Sequence, residues 1–334
     1  MSEATHEGSG FRAVVLAAGL GTRMRSELPK VMHRVLGLPM VTYPVQHALK
    51  LGADEVAVVV GHGRALVEAW LSERFAGARV STHVQHAMNG TADAVRSAHA
   101  AFDDFEGSVM ILYGDVPNLA EADLESLLRV HRESGGILTF LTAHAQGQTD
   151  YGRIVRDGSG RARAIVEFKD CTEAERALTE VNIGLYLVDA AFLRDGLSRL
   201  DASNAQGEFY LTDLVKLAYD RGCPAAVVVS DDIEALHGVN NRAQLAGAEA
   251  YARSRANRAL MLSGVTLRDP ATVYVDADVV VERDAELEPG VMLLGRTRVG
   301  ARARVELGSR LEDVEVEAGA VVSAGTRQVG GRIR

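Results

Sequence analysis

The residues best suited to chemistry lie near the start of the chain, where cationic side chains follow a glycine-rich turn. An apolar run over 11–18 predicts a buried parallel strand, and it ends at Gly19, where the backbone can turn and approach a ligand closely. The basic residues that follow are Arg23, Arg25, Lys30 and Arg34. Exposed backbone N–H groups after a strand, together with cations on flexible stems, suit a polyphosphate. The segment therefore predicts a phosphate-binding site.

The pattern of this loop differs from two common phosphate loops. Gly-x-x-x-x-Gly-Lys-[Ser/Thr] is absent, and Gly19-Leu20-Gly21 is followed by Met24 where the dinucleotide fingerprint needs a third glycine. The full run Leu-x-x-Gly-x-Gly-Thr-Arg-Met, with Pro29-Lys30 after it, is much more specific than a single Gly-x-Gly. Arg25 and Arg34 are expected to be solvated.

Two oxygen-bearing side chains could complete the site with a metal ion. Asp115 follows an apolar run and Gly114, and Asn240 follows Gly238-Val239. Mg²⁺ prefers one or two carboxylates together with phosphate oxygens and water. Asp115 could instead only cap a turn, and Asn240 could be the N-cap of the helix that follows, a role that Asn241 could share.

Three further observations concern substrate contacts and nucleophiles. Glu167 could form a surface ion pair with Lys169 on the same strand face, and Asn182 stands in an apolar strand where its amide needs partners, such as the hydroxyls of a ligand. None of the ten histidines has a convincing metal-ligand spacing, and Gly-x-Ser-x-Gly is absent. Nucleophilic catalysis by the protein is therefore disfavoured.

The elements that must position these residues follow an α/β pattern up to about residue 230. Predicted strands are 11–18, 56–60, 80–84, 108–113, 137–143, 163–168, 182–188 and 225–229. Predicted helices are 41–51, 64–75, 91–102, 121–134, 189–200 and 210–221. Ligands of such sheets gather at the carboxyl ends of the strands, where Gly19, Gly61-His62-Gly63 and Gly114-Asp115 lie.

The pattern then changes to a long helix over 241–262 and a repeat of six. Aliphatic or small residues recur every six positions in two series, one from Val275 to Leu311 and one from Val273 to Ser309, and the register resumes at Val314 after a slip of one residue. This is the hexapeptide signature of a β-helix. We expect a Rossmann-like sheet, a long helix and a short left-handed parallel β-helix. The predicted organisation is a disordered tail at 1–10, domains at 11–240 and 263–326, a linker helix at 241–262 and a tail at 327–334.

Composition limits the class of protein. The chain has 334 residues and a formal net charge of −9, which argues against a nucleic-acid binder but allows small anionic substrates in a local basic pocket. Two cysteines cannot form a disulfide framework or a four-ligand zinc site. Residues 1–10 lack the apolar core of a signal peptide, and no apolar run of about 18 residues occurs. We expect a cytoplasmic protein with no membrane association.

These motifs together resemble the bacterial N-acetylglucosamine-1-phosphate uridyltransferases, the amino-terminal part of a bifunctional enzyme. The resemblance covers about residues 11 to 325. The motifs that carry it are Leu16-Ala-Ala-Gly-Leu-Gly-Thr-Arg-Met24, Leu28-Pro-Lys-Val-Met-His33, Gly61-His-Gly63, Gly90-Thr91, Tyr113-Gly-Asp-Val-Pro117, Tyr151-Gly-Arg-Ile154, Val166-Glu-Phe-Lys-Asp170, Asn204-Ala-Gln-Gly-Glu208, Gly238-Val-Asn-Asn-Arg242 and Gly264-Val-Thr-Leu-Arg-Asp-Pro270.

The resemblance implies a reaction and a role for each matching residue. UTP and N-acetylglucosamine 1-phosphate would give UDP-N-acetylglucosamine and pyrophosphate, with Mg²⁺ held by Asp115 and Asn240. Catalytic Arg23 and Lys30 would hold the phosphates, and Gln85 and Gly90 would read uracil. The other implied substrate-binding residues are Leu16, Ala17, Ala18 and Gly19 at the nucleotide, and Tyr113, Thr91, Gly152, Glu167 and Asn182 at the sugar. Hexapeptide helices of this kind commonly form homotrimers, so we expect a homotrimer.

Several positions differ from the usual family pattern. Leu20 replaces a lysine and Asp93 replaces a histidine, and the other departures are Met88-Asn89, Phe168 and Ile183. They leave open the same chemistry with dTTP or ATP and glucose 1-phosphate, and a non-catalytic nucleotide-sugar sensor or scaffold stays as a second alternative. The later coils that carry the acetyl-CoA site of the bifunctional enzyme are absent from this sequence, so we expect no acetyltransferase activity.

Overall fold

The computed structural model describes residues 10–147 and 149–334, so the predicted tail at 1–10 lies, except for Gly10, outside the described residues. The chain divides into two compact units. One unit holds the residues up to 32 together with 40–241, and the other holds 33–39 together with 242–334. No pattern in the sequence indicated that 33–39 would group with the second unit.

The first unit is built on a nine-stranded mixed sheet. Its strands are β1 (Phe11–Leu16), β2 (Val56–Val60), β3 (Val80–Val84), β4 (Ser108–Tyr113), β5 (Leu138–His144), β6 (Arg153–Arg156), β7 (Ala162–Val166), β8 (Glu180–Asp189) and β9 (Ala226–Ser230). The order is β9-β5-β8-β4-β1-β2-β3, while β6 pairs with β8 and β7. β8 is antiparallel to β4 and β5, whereas β1 is parallel to β2 and β4.

Among the described residues of this unit, seven α-helices cover the sheet or lie in its connections. They are α1 (Thr42–Lys50), α2 (Arg64–Arg74), α3 (Thr91–Ser97), α4 (Glu121–Ser134), α5 (Glu173–Arg176), α6 (Ala190–Arg199) and α7 (Asp213–Asp220). The predicted helix 91–102 ends at Ser97 and is followed by a short 3₁₀ turn, and the predicted helix 210–221 begins only at Asp213. Just before that start, the Leu211 N–H donates to Thr91 Oγ1. The four-residue β6 and α5 were not predicted, since such short elements carry little periodicity.

The core of the first unit lies on both faces of the sheet. Along β1, Val14 and Leu16 belong to one buried apolar cluster, whereas Ala13 and Val15 belong to the cluster on the opposite face. Because both faces are covered, β1 is apolar throughout rather than alternating with polar residues. The carboxyl ends of the adjacent parallel strands β4, β1 and β2 meet at one edge, as the sequence predicted.

The second unit contains a short hairpin, a long helix and a stack of short parallel strands. The hairpin joins Arg34–Val35 to Leu38–Pro39, and α8 spans Arg242–Leu262. Three parallel sheets of four strands follow. The first sheet holds Thr266–Leu267, Glu286–Leu287, Arg304–Val305 and Val321–Val322; the second holds Tyr274–Val275, Met292–Leu294, Arg310–Glu312 and Arg327–Val329; the third holds Val280–Val281, Arg298–Val299, Glu315–Val316 and Arg332–Ile333.

This arrangement confirms the predicted fold class, in which a Rossmann-like sheet precedes a long helix and a hexapeptide β-helix. Strands pair one full coil apart, so Val275 lies beside Leu293 and Leu293 beside Leu311. Residues 327–334, expected to form a tail, instead contribute two strands that pair with the preceding coil. The prediction missed them because the last side chains break the apolar repeat.

The predicted slip of one residue lies after Leu311, where Val299 pairs with Val316 and the coil is one residue shorter. Thr297 is fully buried at this point. Its hydroxyl donates to the Leu294 carbonyl at 2.7 Å and accepts from the Val314 N–H at 3.3 Å. The Thr297 hydroxyl thus supplies an acceptor for the Val314 N–H in the shorter coil, while the Leu294 carbonyl also accepts from the Thr297 and Asp313 N–H groups.

Acidic side chains connect successive coils. Asp313 accepts from the Arg296 N–H of the preceding coil at 2.8 Å, and four others each accept a hydrogen bond from a backbone N–H in the turn of the next coil. The pairs are Asp276 with Gly295, Glu282 with Ala301, Glu288 with Leu307 and Glu306 with Ala324, at 2.8 to 3.1 Å. Turn N–H groups, which cannot join a sheet, are satisfied in this way.

Within the described ranges, no helix combines the length and the hydropathy that crossing a membrane would require.

Candidate functional site

The loop after β1 brings a short turn close to Lys30. Gly21 has φ +62°, and a Cβ atom at this position would lie 2.7 Å from the Lys30 Cβ, so only glycine fits. Gly19, the expected turning point, has no positive φ. Only a three-residue 3₁₀ turn, Thr22–Met24, follows. The phosphate loop therefore lacks the α-helix N-terminus that a strand-to-helix turn would supply, which leaves more of the charge balance to side chains.

The four basic side chains singled out in the sequence lie in different places. Arg23 and Lys30 line a cavity of about 500 Å³ at the carboxyl ends of β1 and β4. Arg25 is exposed, and Arg34 lies in the second unit, where it donates to the Gly37 carbonyl at 3.0 Å. The two cations that the resemblance assigned to phosphates are the two at the cavity.

The ammonium of Lys30 lies between the two proposed metal ligands. Its Nζ donates to Asp115 Oδ2 at 2.5 Å and to Asn240 Oδ1 at 3.0 Å. The Asn240 Nδ2 donates to the Gly238 carbonyl at 3.4 Å, which leaves Oδ1 directed at the cation. Helix α8 begins at Arg242, so Asn241, not Asn240, adjoins it. The N-cap alternative for Asn240 is therefore not supported.

This donor set fits a divalent cation that prefers oxygen. A carboxylate and an amide oxygen already converge on one positive charge, and both line the cavity. In the described part of the chain, no group of three or more histidine, cysteine, aspartate or glutamate side chains could hold a metal by itself. One carboxylate with few other protein ligands is typical of Mg²⁺ sites that share substrate phosphates.

The cavity brings together every predicted site residue except Gly152, Glu167 and Asn182. Predicted residues that line it are Leu16, Ala17, Ala18, Gly19, Arg23, Lys30, Gln85, Gly90, Thr91, Tyr113, Asp115 and Asn240. Lining residues that were not predicted are Leu20, Gly21, Thr22, Val31, Met88, Ala94 and Glu208. Leu20, Gly21, Thr22, Val31 and Glu208 lie in motifs that were noted in the sequence, whereas Ala94 does not.

One end of the cavity is formed by Gln85 and Gly90. The Gln85 Nε2 donates to Asp93 Oδ2 at 3.0 Å. Gly90 has φ +108°, and a Cβ atom there would lie 2.6 Å from the Phe209 carbonyl oxygen, so no other residue fits without displacing the backbone.

Gly152, Glu167 and Asn182 form a second group beside Tyr113. The Asn182 N–H donates to the Gly152 carbonyl at 2.9 Å, and a Cβ on Gly152 would lie 3.6 Å from Glu167 Oε2. Two residues after Asn182, a Cβ on Gly184 would lie 2.6 Å from the Tyr113 ring. The three residues absent from the cavity lining are thus adjacent to one another and join the site through Tyr113.

The environments of Glu167 and Asn182 differ from those expected. Glu167 does not pair with Lys169, which donates to Gln206; its Oε1 accepts from Thr212 Oγ1 at 3.2 Å. Burial raises the pKa of Glu167. The Asn182 amide finds partners within its own strand, because Nδ2 donates to the Tyr186 hydroxyl at 2.8 Å and Oδ1 accepts from the Gly184 N–H at 3.0 Å. One N–H and one lone pair of this amide remain for a ligand.

Tyr113 is half-buried and lies between the two groups. Burial, and then the nearby charges of Glu167 and Asp115, raise the pKa of its hydroxyl. The phenol therefore stays protonated at neutral pH and can donate a hydrogen bond.

Sequence reasoning missed two positioning contacts beside the group of Gly152, Glu167 and Asn182. The Tyr151 hydroxyl lies 2.9 Å from His237 Nδ1, and their rings are stacked. Arg153 is buried, and its guanidinium donates to the carbonyls of Tyr151 and Thr149 and lies over the Phe168 ring. The Tyr-Gly-Arg-Ile motif was the available signal for Arg153, whereas nothing in the sequence paired Tyr151 with His237.

Comparison with known proteins identifies the family. The model of the nucleotidyl transferase family matches residues 12–234, so the chain belongs to this family, which confirms the predicted resemblance and the prediction of a nucleotidyltransferase. The chain is similar to the bifunctional protein GlmU of Sorangium cellulosum, with 50% identity over 313 residues, 93% of this chain and 66% of that protein. The proteins of the same name from Geobacter metallireducens and Anaeromyxobacter dehalogenans are 46% and 45% identical, over 89% and 93% of this chain.

The chain spans 62% to 66% of the length of these three relatives.

Proposed function

We propose that this chain transfers a uridylyl group from UTP to N-acetylglucosamine 1-phosphate, giving UDP-N-acetylglucosamine and pyrophosphate, with Mg²⁺ as cofactor. The observation that carries the proposal is the cation position, where Asp115 and Asn240 converge within 3.0 Å of Lys30 Nζ. A scaffold or sensor has no use for such a position at the floor of a nucleotide-sized cavity. The membership of the family and the similarity to GlmU proteins support the same reaction.

The chemistry requires positioning and charge neutralisation more than proton transfer. The phosphate oxygen of the sugar phosphate is already anionic, so it can attack the α-phosphorus in line without a general base. Lys30 and Arg23 would hold the phosphates and offset the charge that develops on the leaving pyrophosphate. When bound at Asp115 and Asn240, Mg²⁺ supplies further charge neutralisation on the phosphate oxygens.

The two ends of the site account for the proposed substrates. At the cavity end formed by Gln85 and Gly90, a side-chain amide and a backbone N–H can pair with the edge of uracil. At the other end, Glu167 and Asn182 offer acceptors and a donor for sugar hydroxyls and an N-acetyl group, and the protonated Tyr113 hydroxyl adds a donor. Holding both substrates in this way makes the attack effectively intramolecular.

Pyrophosphate release tests the proposal directly. Wild-type protein is assayed with Mg²⁺ and a panel of UTP, dTTP, ATP and CTP against N-acetylglucosamine 1-phosphate, glucosamine 1-phosphate and glucose 1-phosphate. We expect release with UTP and the acetylated sugar, and its loss in Asp115→Ala. Asp103→Ala, which changes an exposed carboxylate on the surface, serves as the matched control. Release with dTTP or ATP and glucose 1-phosphate would keep the mechanism but replace the substrates, and no release with any pair would favour the sensor.

The assembly state forms part of the same proposal. The hexapeptide β-helix suggests a homotrimer, and sedimentation equilibrium of the full chain tests it, since a monomer or dimer mass would contradict it.

A further inference from the structure

The NH₂ group of the Gln85 side-chain amide is hydrogen-bonded to other groups of the protein. The side chain is only 6% exposed, and its Nε2 donates to Asp93 Oδ2 at 3.0 Å and lies 3.5 Å from the Gly90 carbonyl. Both hydrogens of the NH₂ group are therefore directed at protein oxygens. The remaining polar atom of the amide is Oε1, which can only accept a hydrogen bond.

The contact with Asp93 is the shorter of the two, at 3.0 Å against 3.5 Å for the Gly90 carbonyl, and contributes most to this orientation. A carboxylate accepts and cannot donate, so only the NH₂ end of Gln85 can face it. Asp93 lies in the first turn of α3, where the helix macrodipole favours a negative charge. A neutral side chain that can both donate and accept would allow the Gln85 amide to turn over and present its NH₂ group to the cavity instead.

The backbone of Gly90 provides a second, fixed group beside Gln85. In the described part of the chain, its N–H has no hydrogen-bond partner, and Gly90 lines the same cavity. The two groups together present one acceptor, Gln85 Oε1, and one donor, the Gly90 N–H. A pyrimidine with an N3–H beside a carbonyl matches this pair, whereas cytosine places a lone pair at N3 opposite the acceptor.

We propose that Asp93 is a positioning residue that sets nucleobase specificity, because it locks Gln85 as a hydrogen-bond acceptor and so selects a base edge with an N3–H over that of cytosine. This inference rests on the proposed function, since it assigns Gln85 to the base. Asp93 acts through Gln85 and does not contact the reacting atoms. Its effect is therefore on the choice of nucleotide and not on the sugar phosphate.

The test compares Asp93→Asn with Asp93→Glu. Asparagine keeps the size but can donate or accept, so Gln85 can adopt either orientation; glutamate keeps an acceptor-only group. We expect Asp93→Asn to lower the ratio of kcat/KM for UTP to that for CTP roughly tenfold, through the nucleotide KM, with the KM for N-acetylglucosamine 1-phosphate unchanged. Asp93→Glu keeps most of the wild-type ratio. Asp103→Asn, the same change on an exposed residue, leaves it unchanged.

A compensating pair makes the test independent of any loss of stability. In the double variant Gln85→Glu with Asp93→Asn, the asparagine can donate to the new carboxylate, whose other oxygen again faces the cavity as an acceptor. We expect this pair to recover the preference for UTP that Asp93→Asn loses. An unchanged UTP:CTP ratio in Asp93→Asn, or no recovery in the double variant, would overturn the inference.

If the proposed function is wrong, the experiments give a result that can be told apart from failure of the inference about Asp93. Wild-type protein that releases no pyrophosphate with UTP refutes that function, and calorimetric dissociation constants for UTP and CTP then test Asp93 without turnover. A roughly tenfold fall in the binding preference of Asp93→Asn would support the inference even in that case, and equal preferences in the two proteins would refute it.

Discussion

Replacing Lys30 with methionine tests whether its ammonium and a metal ion compete for the same oxygens. Lys30 Nζ contacts both Asp115 and Asn240, and the lysine and aspartate side chains are only 15% and 14% exposed. A pair of this kind lies between exposed ion pairs, worth about 0–1 kcal/mol, and fully buried ones, whose disruption costs about 3–5 kcal/mol. If displacing the Lys30 ammonium from these oxygens costs about 1.5 kcal/mol, the protein binds a metal ion about tenfold more weakly than it would without the ammonium.

We therefore expect Lys30→Met to bind a divalent metal about tenfold more tightly than wild type in the absence of nucleotide. The same variant loses a phosphate-binding cation, so its turnover falls by about two orders of magnitude. Opposite changes in metal affinity and turnover are the distinguishing result, because a merely misfolded site would lose both.

The assay is a titration with Mn²⁺, followed by electron paramagnetic resonance, with no nucleotide present. Mn²⁺ takes the same oxygen ligands as Mg²⁺ and reports binding without any turnover. Lys50→Met is the matched control, because Lys50 pairs with Glu121 on the exposed surface. Metal affinity in Lys30→Met equal to that of wild type would show that the ammonium does not occupy the cation position in solution, and the reasoning would be refuted.

Three other substitutions test features away from the phosphates. Arg153→Lys replaces the planar fork that holds the loop before Gly152, so the KM for the sugar phosphate rises several-fold while the KM for UTP does not; steady-state kinetics with each substrate varied separate the two. Burial and neighbouring carboxylates raise the pKa of Asp213 to about 6. The folded state therefore disfavours the ionised carboxylate, and this loss of stability is complete above pH 6 and absent below about pH 4. Asp213→Asn therefore adds about 1 kcal/mol of stability at pH 8, after allowance for solvent screening, and nothing at pH 4; equal Tm shifts at both pH values would contradict this. Thr297→Val removes the hydroxyl that accepts from the Val314 N–H, so we expect the free energy of unfolding to fall by about 1–3 kcal/mol. Denaturant titration measures this change. An unchanged free energy of unfolding would contradict the role given to the hydroxyl.

Features with a strong local period were predictable from the sequence. The parallel strands of the central sheet appeared as apolar runs because both of its faces are buried, and the β-helix appeared through its repeat of six. The slip after Leu311 was also visible, because the same small and aliphatic residues resume one position later. The last two strands were not, since Arg327–Val329 and Arg332–Ile333 carry charged and polar residues at a position where the repeat stops.

Site residues that belong to a sequence motif could be predicted. Contacts between residues that are far apart in the sequence could not. Lys30 and Asp115 could be assigned to one site from their motifs, but the 2.5 Å contact between them depends on how two loops of the sheet edge meet. The buried amide of Asn182 was expected to need partners, such as the hydroxyls of a ligand, and two of them come from Tyr186 and Gly184 in its own strand. Tyr151 and His237 are 86 positions apart, and no local pattern could join them.

The acidic side chains that accept from turn N–H groups link each coil to its neighbours by contacts that repeat from coil to coil. Most of these acceptors serve the coil that follows, as Glu288 does for Leu307 and Glu306 does for Ala324, and Asp313 serves the Arg296 N–H of the coil before it. A coil inserted or deleted as a whole would bring its own acceptors and leave its neighbours matched. Evolution can therefore have changed the length of this part of the molecule in whole-coil steps without rebuilding its turns, and a protein engineer could use the same coil as an interchangeable building block.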